Sequence, residues 1–227
     1  MKKKVLYSEL SYILGLIILA FGTSIVEKAG FGMSMVVSPA YLIHLKLSDI
    51  FPFFSFGMAE YCFQGLLIII LSFVLGKFRF NYLFSFVTAV IYGFLLDGFI
   101  FIFTFISPDS LPLRILLFIM GLTLCTLGIS LLLGTYISPE AYELFVKKIS
   151  KKYNYPLFKT KFLYDISSLT LSIILSLSFF GSFKGIGIGT VITAVLNGRL
   201  IGMWTNIIDK HFISQDALKL RSFFEND

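Results

Sequence analysis

Charge is what this sequence has least of. Only 14% of its 227 residues are Asp, Glu, Lys or Arg, against roughly 25% in a soluble domain. With 57% of residues hydrophobic, too few polar groups remain to cover a water-facing surface, which disfavours a soluble helical bundle. Cysteine is nearly absent. Cys62 and Cys125 both fall in apolar runs, with neither metal-ligand spacing nor a disulfide framework, and read as small apolar fillers. The two histidines, His44 and His211, lie in separate peripheral segments without matching ligands. No Ser–His–Asp order, metal pair or phosphate loop is visible. The chain is therefore read as a non-enzyme with no cofactor.

What fills the space is long apolar runs. Six segments, at 10–26, 56–75, 82–105, 113–135, 162–181 and 186–208, approach or reach the length of a spanning helix, which needs ~20 residues to cross ~30 Å of hydrocarbon. The first follows Lys2-Lys3-Lys4 and superficially resembles a signal peptide. No Ala-x-Ala cleavage motif follows it, so it is expected to be an uncleaved first span.

Basic residues concentrate in alternate connectors: Lys77 and Arg79, then Lys147, Lys148, Lys151, Lys152, Lys159 and Lys161, then Lys210, Lys219 and Arg221. The positive-inside rule then puts both termini in the cytoplasm, in a multi-pass bacterial cytoplasmic membrane protein. The net charge of +6 needs no nucleic-acid partner, because basic loops facing anionic lipid explain it.

The chain also repeats itself at a nearly constant offset. Gly22-Thr23-Ser24 returns as Gly128-Ile129-Ser130, Glu60 as Asp165, Gly76 as Gly181, and Thr88-Ala89-Val90 as Thr193-Ala194-Val195. Each copy holds three spans, at 10–105 and 113–208, within one integral membrane domain covering 1–227. An odd number of spans inverts the second copy, an architecture that many secondary transporters use for alternating access. The expected fold is therefore all-α and polytopic, six transmembrane helices in two inverted three-helix repeats.

Each repeat also has a short extra helix after its first span, beginning at Ser38-Pro39 and Ser138-Pro139. Serine caps free amides and proline suits a first turn. These helices either lie flat at the interface or dip in as re-entrant elements. The second carries Lys147, Lys148, Lys151 and Lys152 and is expected at the interface.

Ionisable groups inside the spans are the candidate substrate-binding or gating residues, since such groups are costly in lipid. Arg199 lies near the middle of the sixth span. Asp97 in the third span, ~6 Å from that span's midpoint at 1.5 Å per residue, is its best partner. The two either pair or hold an anionic substrate group, and Asn197 lies close to the same depth. Glu60 and Asp165 occupy matched positions, and Gln64 extends the Glu60 side by one turn. The glycine-dense stretch 181–190 reads as a tight turn and a close-packing helix start, with amides that could meet an anion. The expected partners are membrane lipids and an anionic or lipid-like small molecule.

Several segments match a known group: Gly22-Thr23-Ser24, Gly30-x-Gly32 with Pro39, Tyr92-Gly93-Phe94-Leu95-Leu96-Asp97, Phe179-Phe180-Gly181 and Gly187-Ile188-Gly189-Thr190-Val191. Across 10–208 the chain resembles the YczE/YyaS/YitT-like group of uncharacterised bacterial membrane proteins. Where many relatives carry Gly-Pro and an acid, this chain has Ser38-Pro39-Ala40. The resemblance implies a polytopic inner-membrane protein, discussed as a transporter or exporter, without a substrate.

The function expected is a small secondary transporter. Two other readings stand beside it. One is the substrate-binding subunit of a multicomponent transporter, with Ser11, Gly15 and Gly22 as its contact face. The other is a non-transport scaffold or lipid-binding protein.

Overall fold

The computed structural model describes residues 4–105, 108–218 and 221. In chain order the elements are β1 (Lys4–Tyr7), α1 (Ser8–Ala29), α2 (Ser38–Ser48), α3 (Phe56–Leu75), α4 (Asn81–Phe103), α5 (Leu111–Leu133), α6 (Ala141–Tyr153), α7 (Leu157–Phe180), α8 (Ile188–His211) and β2 (Phe212–Gln215). Helices α1, α3, α4, α5, α7 and α8 are long and apolar enough to cross a membrane. They match the expected spans within a few residues at most ends, and α7 begins five residues earlier than expected. Large apolar side chains such as Phe73, Phe94, Phe101 and Val195 are exposed along them, as lipid-facing surface requires.

The centre is the antiparallel pair α1–α5. Gly15 and Gly22 on α1 face Gly128 and Gly121 on α5. A Cβ on Gly22 would lie 2.7 Å from the Cys125 amide nitrogen, and one on Gly128 would lie 2.8 Å from that of Leu19. Only backbones without side chains approach so closely, and packing of this kind substitutes for a hydrophobic driving force in lipid. Ser11 Oγ donates to the Leu131 carbonyl at 3.0 Å. Ser11, Gly15 and Gly22 therefore face the inside of this bundle, and the face suggested for a partner subunit is already occupied by α5.

Around this pair the packing is repeat-like. α4 lies on α1 as α8 lies on α5, and α2 reaches α7 as α6 reaches α3. One relationship breaks the pattern: α3 packs closely on α4, whereas α7 and α8 make no comparable contact. The α3–α4 seam closes on Gly57 and Gly93, where a Cβ on Gly93 would sit 2.7 Å from the Gly57 carbonyl oxygen. On α8, a Cβ at Gly198 or Gly202 would meet nothing within 4 Å.

The chain ends add an element absent from the sequence reading. β1 and β2 pair in parallel, Lys4 opposite Phe212 through Tyr7 opposite Gln215. Glu9 at the start of α1 accepts from Tyr136 Oη at 2.6 Å and from the amides of Ala217 and Leu218. β1 and β2 thus lie at one end of the bundle, the ribbon end. At the distal end, Arg114 closes α1 by donating to the carbonyls of Ala29 and Gly30 at 2.9 and 3.0 Å.

Candidate functional site

The two short helices both pack against α3. The amide of Ala141, at the first position of α6, donates to Gln64 Oε1 at 3.0 Å. Gln64 lies near the middle of the 20-residue α3. At the other end of α6, Lys152 Nζ donates to the carbonyl of Val74, next to the end of α3. α6 therefore runs beside α3 from its middle to the ribbon end, with Ala141, Tyr142, Leu144 and Val146 buried. This corrects the expectation of an interfacial second helix: only its lysine-bearing half reaches the surface. α2 is buried at its own start, from Ser38 to Ala40. Ala40 shares a cluster with Tyr142 and Val146 of α6, Ala59 and Phe63 of α3 and Tyr164 of α7. The first turn of α6 thus reaches a polar centre, while the first turn of α2 packs against the apolar cluster beside it.

That centre is built on Glu60, which is fully buried. Its Oε2 accepts from Tyr142 Oη at 2.8 Å and from Gln64 Nε2 at 3.3 Å. Glu140, the residue before α6, is 8% exposed and lies close enough to Glu60 to feel its charge. Oε1 of Glu60 and Oε1 of Glu140 are both buried without a hydrogen-bond partner, as is the Tyr164 hydroxyl. Burial first, and then the Glu60 charge, pushes the Glu140 carboxyl up to about 8. Two carboxyls in so dry a place cannot both ionise cheaply, so one keeps a proton. The chemistry available is proton uptake and release, or contact with a cation or hydrogen-bonding solute.

Polar side chains lead from this centre toward the ribbon end. Tyr12 Oη lies 2.6 Å from Thr88 Oγ1, which in turn donates to the Ser138 carbonyl at 3.2 Å. This anchors the connector that dips in ahead of Glu140. Tyr92 Oη donates to Thr23 Oγ1 at 3.0 Å in the wall between α4 and α1.

The sequence-derived candidates separate. Glu60 and Gln64 lie in the centre. Asp165 lies beside it, 3.7 Å from Lys161, which bonds Glu143 at 2.7 Å. Asp97 accepts from Ser55 Oγ at 2.5 Å and from the Gly57 amide at 2.7 Å, closing the start of α3. Among the described residues it forms no ion pair with Arg199, because its two oxygens are held by α3. Arg199 is exposed on α8, on the open face that also carries Gly198 and Gly202. Asn197 is half-buried, and its Oδ1 has no hydrogen-bond partner. Glu140 and Tyr142 were missed. The available signal was the acid after Pro139, where the first repeat has Ala40 after Pro39.

Apart from the Glu60 centre, a cavity of about 400 Å³ opens at the distal end between the two glycine-rich connectors, with Glu27, Tyr41 and Lys184 on its wall. Its floor is backbone on backbone. Gly189 N donates to Phe31 O at 2.8 Å and Met33 N to Gly185 O at 3.0 Å. Gly187 N donates to Thr190 Oγ1 at 3.1 Å. The amides of Gly187, Gly189 and Thr190 at the start of α8 are thus already engaged within the chain. The positive φ of Gly32, +97°, and the closeness of Gly187 allow this approach; a Cβ on Gly32 would lie 2.7 Å from Thr190 Oγ1.

Comparison with known proteins adds membership but no activity. The model of a family of unknown function (DUF6198) matches residues 6–206. The uncharacterized protein YyaS of Bacillus subtilis (strain 168) is 29% identical over 213 residues, covering 90% of this chain and 96% of that protein. No solved structure matches.

Proposed function

The chain belongs to this family of unknown function, and we propose from its own geometry that it is a small secondary transporter. It works by alternating access between two inverted three-helix repeats, each carrying a proline-headed half-helix. The half-helix α6 carries Glu140 to Glu60 at its start, as half-helices do at the binding sites of transporters built this way. The basic ribbon end faces the cytoplasm.

The observation that carries this reading is the broken pattern in the packing. α3 is sealed on α4 by Gly57, Gly93 and the Asp97 cap, while α7 and α8 stand apart. At the repeat offset the counterparts of Gly57, Gly93 and Asp97 are Phe162, Gly198 and Gly202. The second seam therefore keeps the glycine on its later helix but has Phe162 in place of Gly57 and no acid in place of Asp97. One seam closed and its counterpart open is the asymmetry expected of one state in an alternating cycle. Arg199 on the open face and Asn197 beside it supply the polar contacts for an anionic or lipid-like small molecule. Packing of Ser11, Gly15 and Gly22 against α5 weakens the partner-subunit alternative.

The test is a pair of spin-label distances in nanodiscs, one across α3–α4 and one across α7–α8. Two populations that exchange in opposite senses support the reading. A single unchanging distance across each seam, at every pH and with every candidate solute, sinks it.

A further inference from the structure

The proposed transport path leaves unused a strongly basic pocket at the ribbon end. Lys77 and Arg79 in the α3–α4 turn, and Lys148, Lys151 and Lys152 in the last turns of α6, line one cavity of about 260 Å³ together with Leu75 and Tyr82. Five cations in one recess need a reason. Part of it is structural: Lys152 holds the Val74 carbonyl, and cations suit the carboxyl ends of α3 and α6. That accounts for Lys152 but not for Lys77 and Lys151, which are exposed.

Three further features single the recess out. Lys148 lies 5.9 Å from the centre of the buried Tyr82 ring. Burial first, and then Arg79, Lys151, Lys147 and Lys77, pushes its ammonium down to about 8, so an anion among these groups is favoured. The first turn of α4 begins at the recess, adding the positive end of a helix dipole. Beside the recess, Phe73, Phe78 and Phe80 are exposed, at 81%, 55% and 75%. In a membrane such side chains meet acyl chains.

We propose that this recess binds the phosphate of an anionic phospholipid headgroup, held by Lys77, Lys148 and Lys151, with the acyl chains lying on Phe73, Phe78 and Phe80. Phosphate is the shared chemistry, and the adjoining phenylalanines select a lipid over a free phosphate compound. The bound headgroup ties the α3–α4 turn to the end of α6, the helix whose other end presents Glu140.

The experiment compares wild type, K77Q/K151Q and a distal-end control, K28Q/K46Q, in phosphatidylcholine nanodiscs with and without phosphatidylglycerol. It reads thermal unfolding and lipid retained in native mass spectrometry. The expected result is a rise of several degrees with phosphatidylglycerol in wild type and in K28Q/K46Q. In K77Q/K151Q the rise disappears and retention weakens on the order of thirtyfold, at about 1 kcal/mol for each basic residue. An equal response of wild type and K77Q/K151Q would reduce the effect to diffuse attraction and overturn the site. Stabilisation by pyrophosphate in neutral nanodiscs, with none from phosphatidylglycerol, would overturn the lipid and assign the recess to a soluble phosphate compound. These readouts need no transport assay, so they stand or fall independently of the transporter reading.

Discussion

Gln64 caps a helix that is not its own: its side-chain oxygen takes the first amide of α6, 77 residues along the chain. The same side chain donates to Glu60 one turn earlier in α3. One residue thereby fixes both the depth of α6 and the orientation of the buried acid.

Replacing Gln64 by Leu is expected to destabilise the protein by about 1–3 kcal/mol, the cost of leaving buried polar partners unmatched. Thermal unfolding in detergent or nanodiscs measures this. A neutral Q64L variant would mean that α6 is held by its apolar contacts alone.

Glu140 gives stability a pH dependence with a definite sign. Burial first, and then the Glu60 charge, pushes its folded carboxyl up to about 8, above the ordinary 4.5. The folded state therefore holds the proton more tightly than the unfolded chain. The stability this contributes is complete below the ordinary value and is lost as pH rises toward 8, by a few kcal/mol as an order of magnitude. Unfolding temperatures of wild type should fall across that window, and E140Q should flatten the fall. An unchanged slope in E140Q would place the titration elsewhere.

The two seams predict opposite responses to one methyl group. Gly57→Ala puts a Cβ against the Gly93 carbonyl oxygen and 2.6 Å from Asp97 Oδ2, so about 1–3 kcal/mol of overpacking is expected. Gly198→Ala enters open space and should be neutral or slightly stabilising, as Ala favours the helix. Unfolding temperatures of the two variants decide the matter.

Asp97 and Arg199 should likewise separate. Asp97→Ala removes a cap across α3–α4 and should cost about 1 kcal/mol. Arg199→Ala touches no ion pair among the described residues and should leave the unfolding temperature nearly unchanged. Any loss of ligand-induced stabilisation in R199A would then report on binding. A strongly destabilised R199A would show that the guanidinium has a structural partner.

Much of the fold was legible because spans are written in composition and length. The helix ends at Gly76 and Gly181 and the start of α2 at Pro39 are written in single residues, whereas α6 begins two residues past Pro139, at Ala141. The depth of α6 was not legible. Its lysines dominate a composition count, but they occupy only its second half, while Ala141 to Val146 is apolar enough to lie inside. The helix is divided along its axis as well as around it. The Asp97–Arg199 pairing failed for a related reason. Residue number gives depth in a membrane but not the direction a side chain takes around its helix, and Asp97 turns toward α3. Glu60 and Gln64 were found because their spacing makes a polar stripe. Glu140 escaped because it stands alone in a connector, and only the fold brings it to Glu60. The ribbon was hidden because Lys4–Tyr7 runs without a break into α1.

In the proposed cycle that ribbon is also the fulcrum. β1 enters α1 and β2 leaves α8 without a linker residue, so the last turn of α8 is pinned to the first turn of the central helix. A tilt of α8 away from α7 is then a lever stroke about its own end. Its sweep is smallest at His211 and largest at Ile188, next to the glycine-rich connector. Six turns of helix turn a small rotation at the strands into a wide excursion at the far rim.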